Sequence, residues 1–241
     1  MSEKLFKGFL FVLSLMSVFL LGFVILYIVK EALPLFKEIN LKEFLLSSKW
    51  MPTGITGNKS FGIFNFIVAS VTVSVLAMLI AVGFSLGCAI YLAFIAKERS
   101  RSILYACIDL LAGIPSVIYG FIGMSVIVRF FAKLRIGTGH CVLAASILLS
   151  IMLLPYMISS FTETLIKAKN KYLISAETLA LSKWYTIVSL IIPISFKYLL
   201  SSMLLAIGRA MGETMAVMMV VGNANLFPKL LSKGETIASL I

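Results

Sequence analysis

The chain has 241 residues, 61% hydrophobic and 13% charged, with a net charge of +11. A soluble domain is about a quarter charged, so the composition excludes one and specifies an integral membrane protein. No basic run is interleaved with aromatics, which excludes a nucleic-acid surface. Anionic lipid headgroups and ordinary loop solvation account for the surplus positive charge.

A helix needs about 20 apolar residues to cross the hydrocarbon core. Five stretches supply them, near 9–29, 63–95, 103–128, 141–159 and 193–222. The first runs apolar to Val29 with no small-residue cleavage pattern, so residues 1–30 read as a retained anchor. Residues 31–61 follow as an amphipathic segment. Lys37, Glu38, Lys42, Glu43 and Lys49 are interspersed with Leu33, Leu35, Phe36, Leu41, Phe44 and Leu45 at loosely helical spacing. That pattern predicts a helix lying at the interface, with Trp50 as a headgroup-level anchor. "TGITGNKS" (53–60) superficially matches a phosphate-binding loop, but Asn58 stands where glycine must precede the lysine and no strand leads in. It is expected to be a turn, and the chain carries no nucleotide site of its own.

The second span contains Gly83 and Gly87, a small-xxx-small pair that permits close helix approach. A basic loop with Lys97, Arg99 and Arg101 leads to the third span and "LLAGIPSVIYGFIG" (110–123). Pro115 lacks a backbone N–H, so the helix is disrupted at Leu111. Ala112, Gly113, Gly120 and Gly123 allow tight packing around a kink. Two outcomes stay open: a bent helix, or a broken helix beside a translocation path. Asp109 is expected to pair with a nearby lysine or arginine. Cys88, Cys107 and Cys141 lack metal-ligand spacing and read as small packing residues. His140 stands alone beside a Gly-Thr-Gly turn.

Residues 160–192 form the longest polar interruption after the first loop. "ISAETLALSKWYTIVSLIIP" (174–193) is helix-compatible up to Pro193, with Leu179, Trp184, Ile187 and Val188 on a common face. Such a helix either lies on the membrane or fits a groove on a soluble partner. In the fifth span, Arg209 and Glu213 are the only charges between Tyr198 and Val221. Each costs about 2.5–3.5 kcal/mol at the bilayer centre, so both face protein or water. Four residues apart on one helix, they are neighbours, and Gly208 and Gly212 give a close-packing face beside them. They form an ordering salt bridge, or Arg209 presents a permanent planar charge to a crossing anion while Glu213 competes for it and keeps binding transient. Asn223 and Asn225 follow, as residues that support a helix end or turn. With alternating spans, each side of the membrane collects ten lysines and arginines, counting Lys197 at the start of the fifth span with the segment before it, so charge alone does not orient the chain.

The 174–193 segment resembles the signature loop of ATP-binding-cassette importer permeases: Glu-Ala-Ala, three residues, Gly, nine residues, then Ile-x-Leu-Pro. Anchored on Pro193, the glycine position holds Ala180, the Glu-Ala-Ala positions hold Ile174, Ser175 and Ala176, and Leu190 and Ile192 stand for Ile and Leu. "LAGIPSVIYGFIG", "GRAMGETMAVMMVVGN" (208–223) and "FGIFNFIVASVTVS" (61–74) are similar to phosphate-specific permeases, in particular the PstC type. The resemblance implies an all-α polytopic membrane protein of the type I importer fold, with 62–241 as the permease core and 160–192 as its coupling loop. Ser175, Ala176, Ala180, Trp184 and Pro193 would then contact the ATPase, with Arg209 and Glu213 on the substrate pathway. The implied partners are a homologous second permease, a cytoplasmic ATPase dimer that binds ATP and magnesium, and an extracytoplasmic phosphate-binding protein. The N-terminus and 160–192 would be cytoplasmic, 31–61 extracytoplasmic, and the chain itself would hold no cofactor or metal and perform no catalysis. A sixth helix is expected of such permeases after "GETIASLI", which points to a fragment or truncated product. Rival functions are permeation of another oxyanion such as molybdate or sulfate, proton-coupled secondary transport through Glu213 or Asp109, and a non-transporting scaffold.

Overall fold

The computed structural model describes residues 3–53 and 59–240, which divide into two compact units, 1–64 and 65–241. In the first unit, α1 (Glu3–Ala32) is about 45 Å long at 1.5 Å per residue, more than enough to span. None of its residues is buried by the chain, and its charges are confined to the ends, at Glu3, Lys4, Lys7, Lys30 and Glu31.

The interface helix expected across 31–61 is not one helix. Pro34 and Asn40 divide it into α2 (Leu35–Glu38) and α3 (Leu41–Leu46). The Asn40 side chain accepts the Lys42 N–H at 3.1 Å, a cap that starts a new helix where a continuous one would leave Asn40 internal. Strand β1 (Trp50–Met51) then pairs antiparallel with β2 (Ser60–Phe61), and the rings of Trp50 and Phe61 meet edge to face at 6.0 Å. The turn expected at 53–60 falls largely on residues 54–58, outside the described residues.

The second unit is built on α4 (Phe64–Ile90), α5 (Glu98–Ala112), α6 (Ser116–Ile122), α7 (Arg129–Lys133), α8 (Val142–Thr178), α9 (Lys183–Tyr185), α10 (Ile192–Met211), α11 (Met215–Val221) and α12 (Ile237–Leu240). Three π-helical turns, Tyr91–Ile95, Gly123–Val128 and Thr186–Ile191, continue α4, join α6 to α7 and join α9 to α10. Helix α8 is the hub. Val142, Ala145, Leu149, Leu153, Met157, Phe161 and Leu165 are fully or almost fully buried, and α5, α6, α10 and α11 pack on it. Helix α4 adds a four-residue repeat of small side chains to the same core: Ala77, Ala81, Ser85 and Ala89. The stripe that permits close approach is therefore this one. Gly83 and Gly87 are exposed with open space around them.

Five helical stretches among the described residues are long and apolar enough to cross a membrane: Glu3–Lys37, Phe64–Ile95, Ser116–Lys133, Val142–Thr178 and Lys183–Met211. The chain is a multi-pass membrane protein. The third span begins at Ser116 instead of 103, and the fifth ends at Met211 instead of 222.

The C-terminal stretch ties these helices together. Val142 and Leu143, whose N–H groups have no partner within α8, donate to the carbonyls of Ser232 (3.0 Å) and Leu230 (2.9 Å). Ile237 N–H donates to Ser70 Oγ at 2.9 Å, and Asn65 Nδ2 to Asn225 Oδ1 at 2.9 Å. Gly222 ends α11 at φ +98° and Asn223 follows at +44°, while His140 Nδ1 lies 3.3 Å from the Val220 carbonyl. Of the cysteines only Cys141 packs inside, its sulfur accepting the Ala144 N–H at 3.4 Å; Cys88 and Cys107 are exposed, contrary to expectation.

Candidate functional site

Pro115 does more than bend the third span. Its ring disfavours helical geometry at the preceding residue and removes one N–H, so α5 ends at Ala112 and α6 starts afresh at Ser116. The Leu111 carbonyl, deprived of the proline's donor, accepts the buried Tyr119 hydroxyl at 2.9 Å and the Ile114 N–H at 3.3 Å. Gly113 N–H closes the end of α5 onto Asp109 (3.1 Å) and Leu110 (3.2 Å). Helix α5 thereby leaves the span. Asp109 is exposed on it, and the ion pairs among the described residues are Lys7–Glu3 and Lys167–Glu163, so its expected partner is not there. Arg101 instead donates through Nε to the Leu92 carbonyl at 2.9 Å, and Lys169 Nζ to that of Ala93 at 2.8 Å. The two cations close the π-helical end of α4, where a positive charge also meets the helix dipole favourably.

A second interruption separates Arg209 from Glu213. Helix α10 stops at Met211 and α11 starts at Met215, so the two charges do not share one continuous helical face. Arg209 is exposed in the last turn of α10, its side chain making neither a hydrogen bond nor an ion pair among the described residues. The half-buried Glu213 accepts the Ala216 N–H at 3.3 Å and caps α11. The intrahelical salt bridge is replaced by a cap and an uncommitted cation. Gly208 has open space around it, and a side chain at Gly212 would meet only the carbonyls of its own helix end, so neither packs against another helix of this chain. The close approach occurs elsewhere. A Cβ on Gly120 would lie 2.7 Å from Met219 Sδ and 3.0 Å from Ala216 Cα, so α11 rests directly on α6.

Both interruptions open on one cleft of about 470 Å³. Leu111, Ala112, Ile114 and Ser116 form one edge, Arg209 and Glu213 another, and α8 supplies the wall through Pro155, Tyr156, Ser159, Ser160 and Glu163. The α8 contribution escaped the sequence reading. Its signal was present: Tyr156, Ser159, Ser160 and Glu163 follow the i, i+3, i+4, i+7 rule of one helix face inside an apolar stretch. Ser160 Oγ and Ser202 Oγ share a hydrogen bond of 2.7 Å between α8 and α10. Glu163 pairs with the exposed Lys167 at 2.6 Å, and Arg209 is the cation among the cleft's lining residues, set beside hydroxyls and the carboxylates of Glu163 and Glu213. Such a surface offers an anion one strong contact and several weak ones.

The 160–192 interruption is not a loop. Helix α8 runs through it to Thr178, and the chain turns at Leu179–Ser182 before α9. The turn is a Schellman closure: Ala180 N–H donates to the Glu177 carbonyl (2.9 Å) and Leu181 N–H to that of Ala176 (3.1 Å), with Ala180 at φ +53°. Ser182 caps the next helix through the Tyr185 N–H at 3.3 Å. The expected common apolar face divides. Ile187 is buried, while Leu179, Trp184 and Val188 are more than half exposed. Ser175 is exposed and Ala176 buried. Pro193 does not stop the helix, because it falls in the first turn of α10, after a π-helical turn.

Residues 85–236 match the family model described as "Binding-protein-dependent transport system inner membrane component". The chain belongs to this family. It is similar to the probable ABC transporter permease protein YqgH of Bacillus subtilis (strain 168), 37% identical over 188 residues that cover 78% of this chain and 60% of that one. It is 34% identical over 219 residues to the phosphate transport system permease protein PstC of Xylella fastidiosa (strain Temecula1), covering 82% and 66%. To the probable PstC of Methanocaldococcus jannaschii it is 30% identical over 254 residues, covering 96% and 78%. The chain thus spans 60% and 66% of the length of the first two of these relatives.

In this transport-system inner membrane component, Ala180 occupies the position where the signature loop carries glycine. The left-handed bend is nevertheless formed. A Cβ held in that conformation strains the turn.

Proposed function

We propose that the chain is a transmembrane permease subunit of an ATP-driven phosphate importer. It pairs with a homologous second permease and with a cytoplasmic ATPase dimer that binds ATP and magnesium, while an extracytoplasmic phosphate-binding protein delivers the cargo. The chain carries out no covalent chemistry; its two accessible states are driven by hydrolysis in the partner. The N-terminus and 160–192 face the cytoplasm, with Leu179, Trp184 and Val188 presented to the ATPase and the Ala180 bend holding them there. Ser175, on the last turn of α8, lies beside that surface.

The observation that carries this proposal is the uncommitted Arg209 guanidinium at an interrupted helix on a hydroxyl-lined cleft. A guanidinium matches phosphate oxygens in shape and keeps its charge at any physiological pH. A single strong contact, with the Glu213 carboxylate beside it on the same wall, lets the anion leave as readily as it enters. The names of the PstC relatives support phosphate over other oxyanions. The test is labelled phosphate uptake by the assembled complex in proteoliposomes, with and without ATP. Arg209→Gln is expected to lower uptake about 10- to 100-fold, the range of a lost charge-assisted hydrogen bond. Unchanged uptake would remove the role of Arg209. Competition by molybdate or sulfate as strong as that by unlabelled phosphate would reassign the cargo.

A further inference from the structure

A second concavity, of about 390 Å³, lies between α8 and α10 and shares no residue with the cleft. Thr164, Lys167, Lys171, Tyr172, Ser195 and Tyr198 line it. Its depth follows from helix geometry. Twenty residues of α8 from Val142 rise about 30 Å, the thickness of the hydrocarbon core, and end at Phe161. The lining residues Thr164, Lys167 and Lys171 therefore lie one to three turns beyond the core, within reach of the headgroup layer. Tyr172 and Tyr198, with an apolar body and a polar tip, are suited to that level.

Two features mark it as a site for an anion. Lys171 Nζ stands 5.2 Å from the Tyr172 ring, and among the described residues Lys167 is held by Glu163 alone, in a pair exposed on both sides and hence weak. Ser195 is 1% exposed, and its hydroxyl has no hydrogen-bond partner among the described residues. A buried hydroxyl without a partner calls for an occupant of the space it lines.

We propose that this concavity seats the phosphodiester headgroup of an anionic phospholipid. The two lysines neutralise the phosphate, and rotation of the buried Ser195 side chain about its Cα–Cβ bond brings its hydroxyl to one of the phosphate oxygens. Inorganic phosphate shares that chemistry, but the position at headgroup depth between two membrane helices favours the lipid. The proposal depends on the membrane span and not on the cargo, so uptake measurements and lipid measurements fail independently.

The test is native mass spectrometry of the full chain in detergent, titrated with phosphatidylglycerol or phosphatidylcholine. Phosphatidylglycerol is expected to be retained preferentially. Its affinity should fall about 10- to 30-fold in Lys167→Gln/Lys171→Gln, as two neutralising charges near the membrane surface predict. Lys171→Arg should retain it, and Lys97→Gln/Arg99→Gln, which removes the same charge elsewhere, should leave it unchanged. Equal retention of the two lipids, or equal loss in the control pair, would overturn the proposal. Displacement of the lipid by excess inorganic phosphate would assign the site to the free anion and overturn it equally. Unchanged binding in Ser195→Ala would remove the serine from the site.

Discussion

The interruptions at 113–115 and 212–214 are each three residues long and border the same cleft, yet they treat their polar groups in opposite ways. At the first, Tyr119 and Ile114 both donate to the Leu111 carbonyl freed by Pro115. At the second, Glu213 caps the new helix while the Arg209 side chain has no partner among the described residues. A broken membrane helix is costly unless its backbone groups are satisfied. The first break is therefore a closed joint that fixes where α6 lies. The second spends the same geometry on exposing a charge.

That contrast is broken most directly at Arg209. Arg209→Gln should lower phosphate uptake by the assembled complex about 10- to 100-fold, with the unfolding midpoint in detergent unchanged because the guanidinium has no internal bonds to lose. Tyr119→Phe should do the reverse. It removes the hydroxyl from Leu111, whose carbonyl keeps the longer, 3.3 Å bond from Ile114, and should lower stability by about 1 kcal/mol in denaturant unfolding. Uptake per folded molecule should survive. A Tyr119→Phe variant of full stability but impaired uptake would mean that the closed joint also handles cargo.

The turn at Leu179–Ser182 is a third joint and closes in yet another way. Ala180 holds a left-handed conformation, at a cost of about 1–2 kcal/mol for a residue with a Cβ. Ala180→Gly relieves that strain, less about 0.4–1 kcal/mol for glycine's greater freedom in the unfolded chain. A net gain on the order of 1 kcal/mol should appear as a higher unfolding midpoint. A loss of stability would show that the bend does not carry this strain.

How far the sequence reveals these joints depends on what encodes them. Apolar run length is a strong local signal, and it locates five spans. Pro115 announces a disruption at Leu111 because proline's missing donor is a property of one residue. Whether that disruption is a bend or a break depends on Tyr119 reaching back eight residues, which no period displays. The break at 212–214 has no proline to announce it. Gly208, Gly212 and the Arg209–Glu213 spacing all fit an unbroken helix, and the close approach of α11 to Gly120 that accompanies the interruption is a tertiary contact no local pattern displays. Asp109 was misplaced for a related reason: it belongs to the span only if the helix runs through Pro115. The stripe of Tyr156, Ser159, Ser160 and Glu163 was legible by helical spacing, but it is diluted by Met157, Ile158 and Phe161 on the buried faces.

The smallest effect tests whether the second break is written locally. Gly212 has φ −86°, within reach of any residue, and a Cβ there would meet the Arg209 and Gly208 carbonyls at 3.7 Å, ordinary contact distances. Gly212→Ala should therefore be tolerated and raise stability by about 0.4–1 kcal/mol, since alanine has fewer unfolded conformations to lose. Alanine also favours helix, so it shifts the segment toward a continuous span. In such a span Arg209 and Glu213 become neighbours and can pair. Uptake should then fall while the protein grows more stable. If stability rises and uptake holds, the interruption is imposed by packing of α11 on α6 and not by glycine. In that case Gly120→Leu, which pushes against Ala216 and Met219, becomes the substitution that moves the charges.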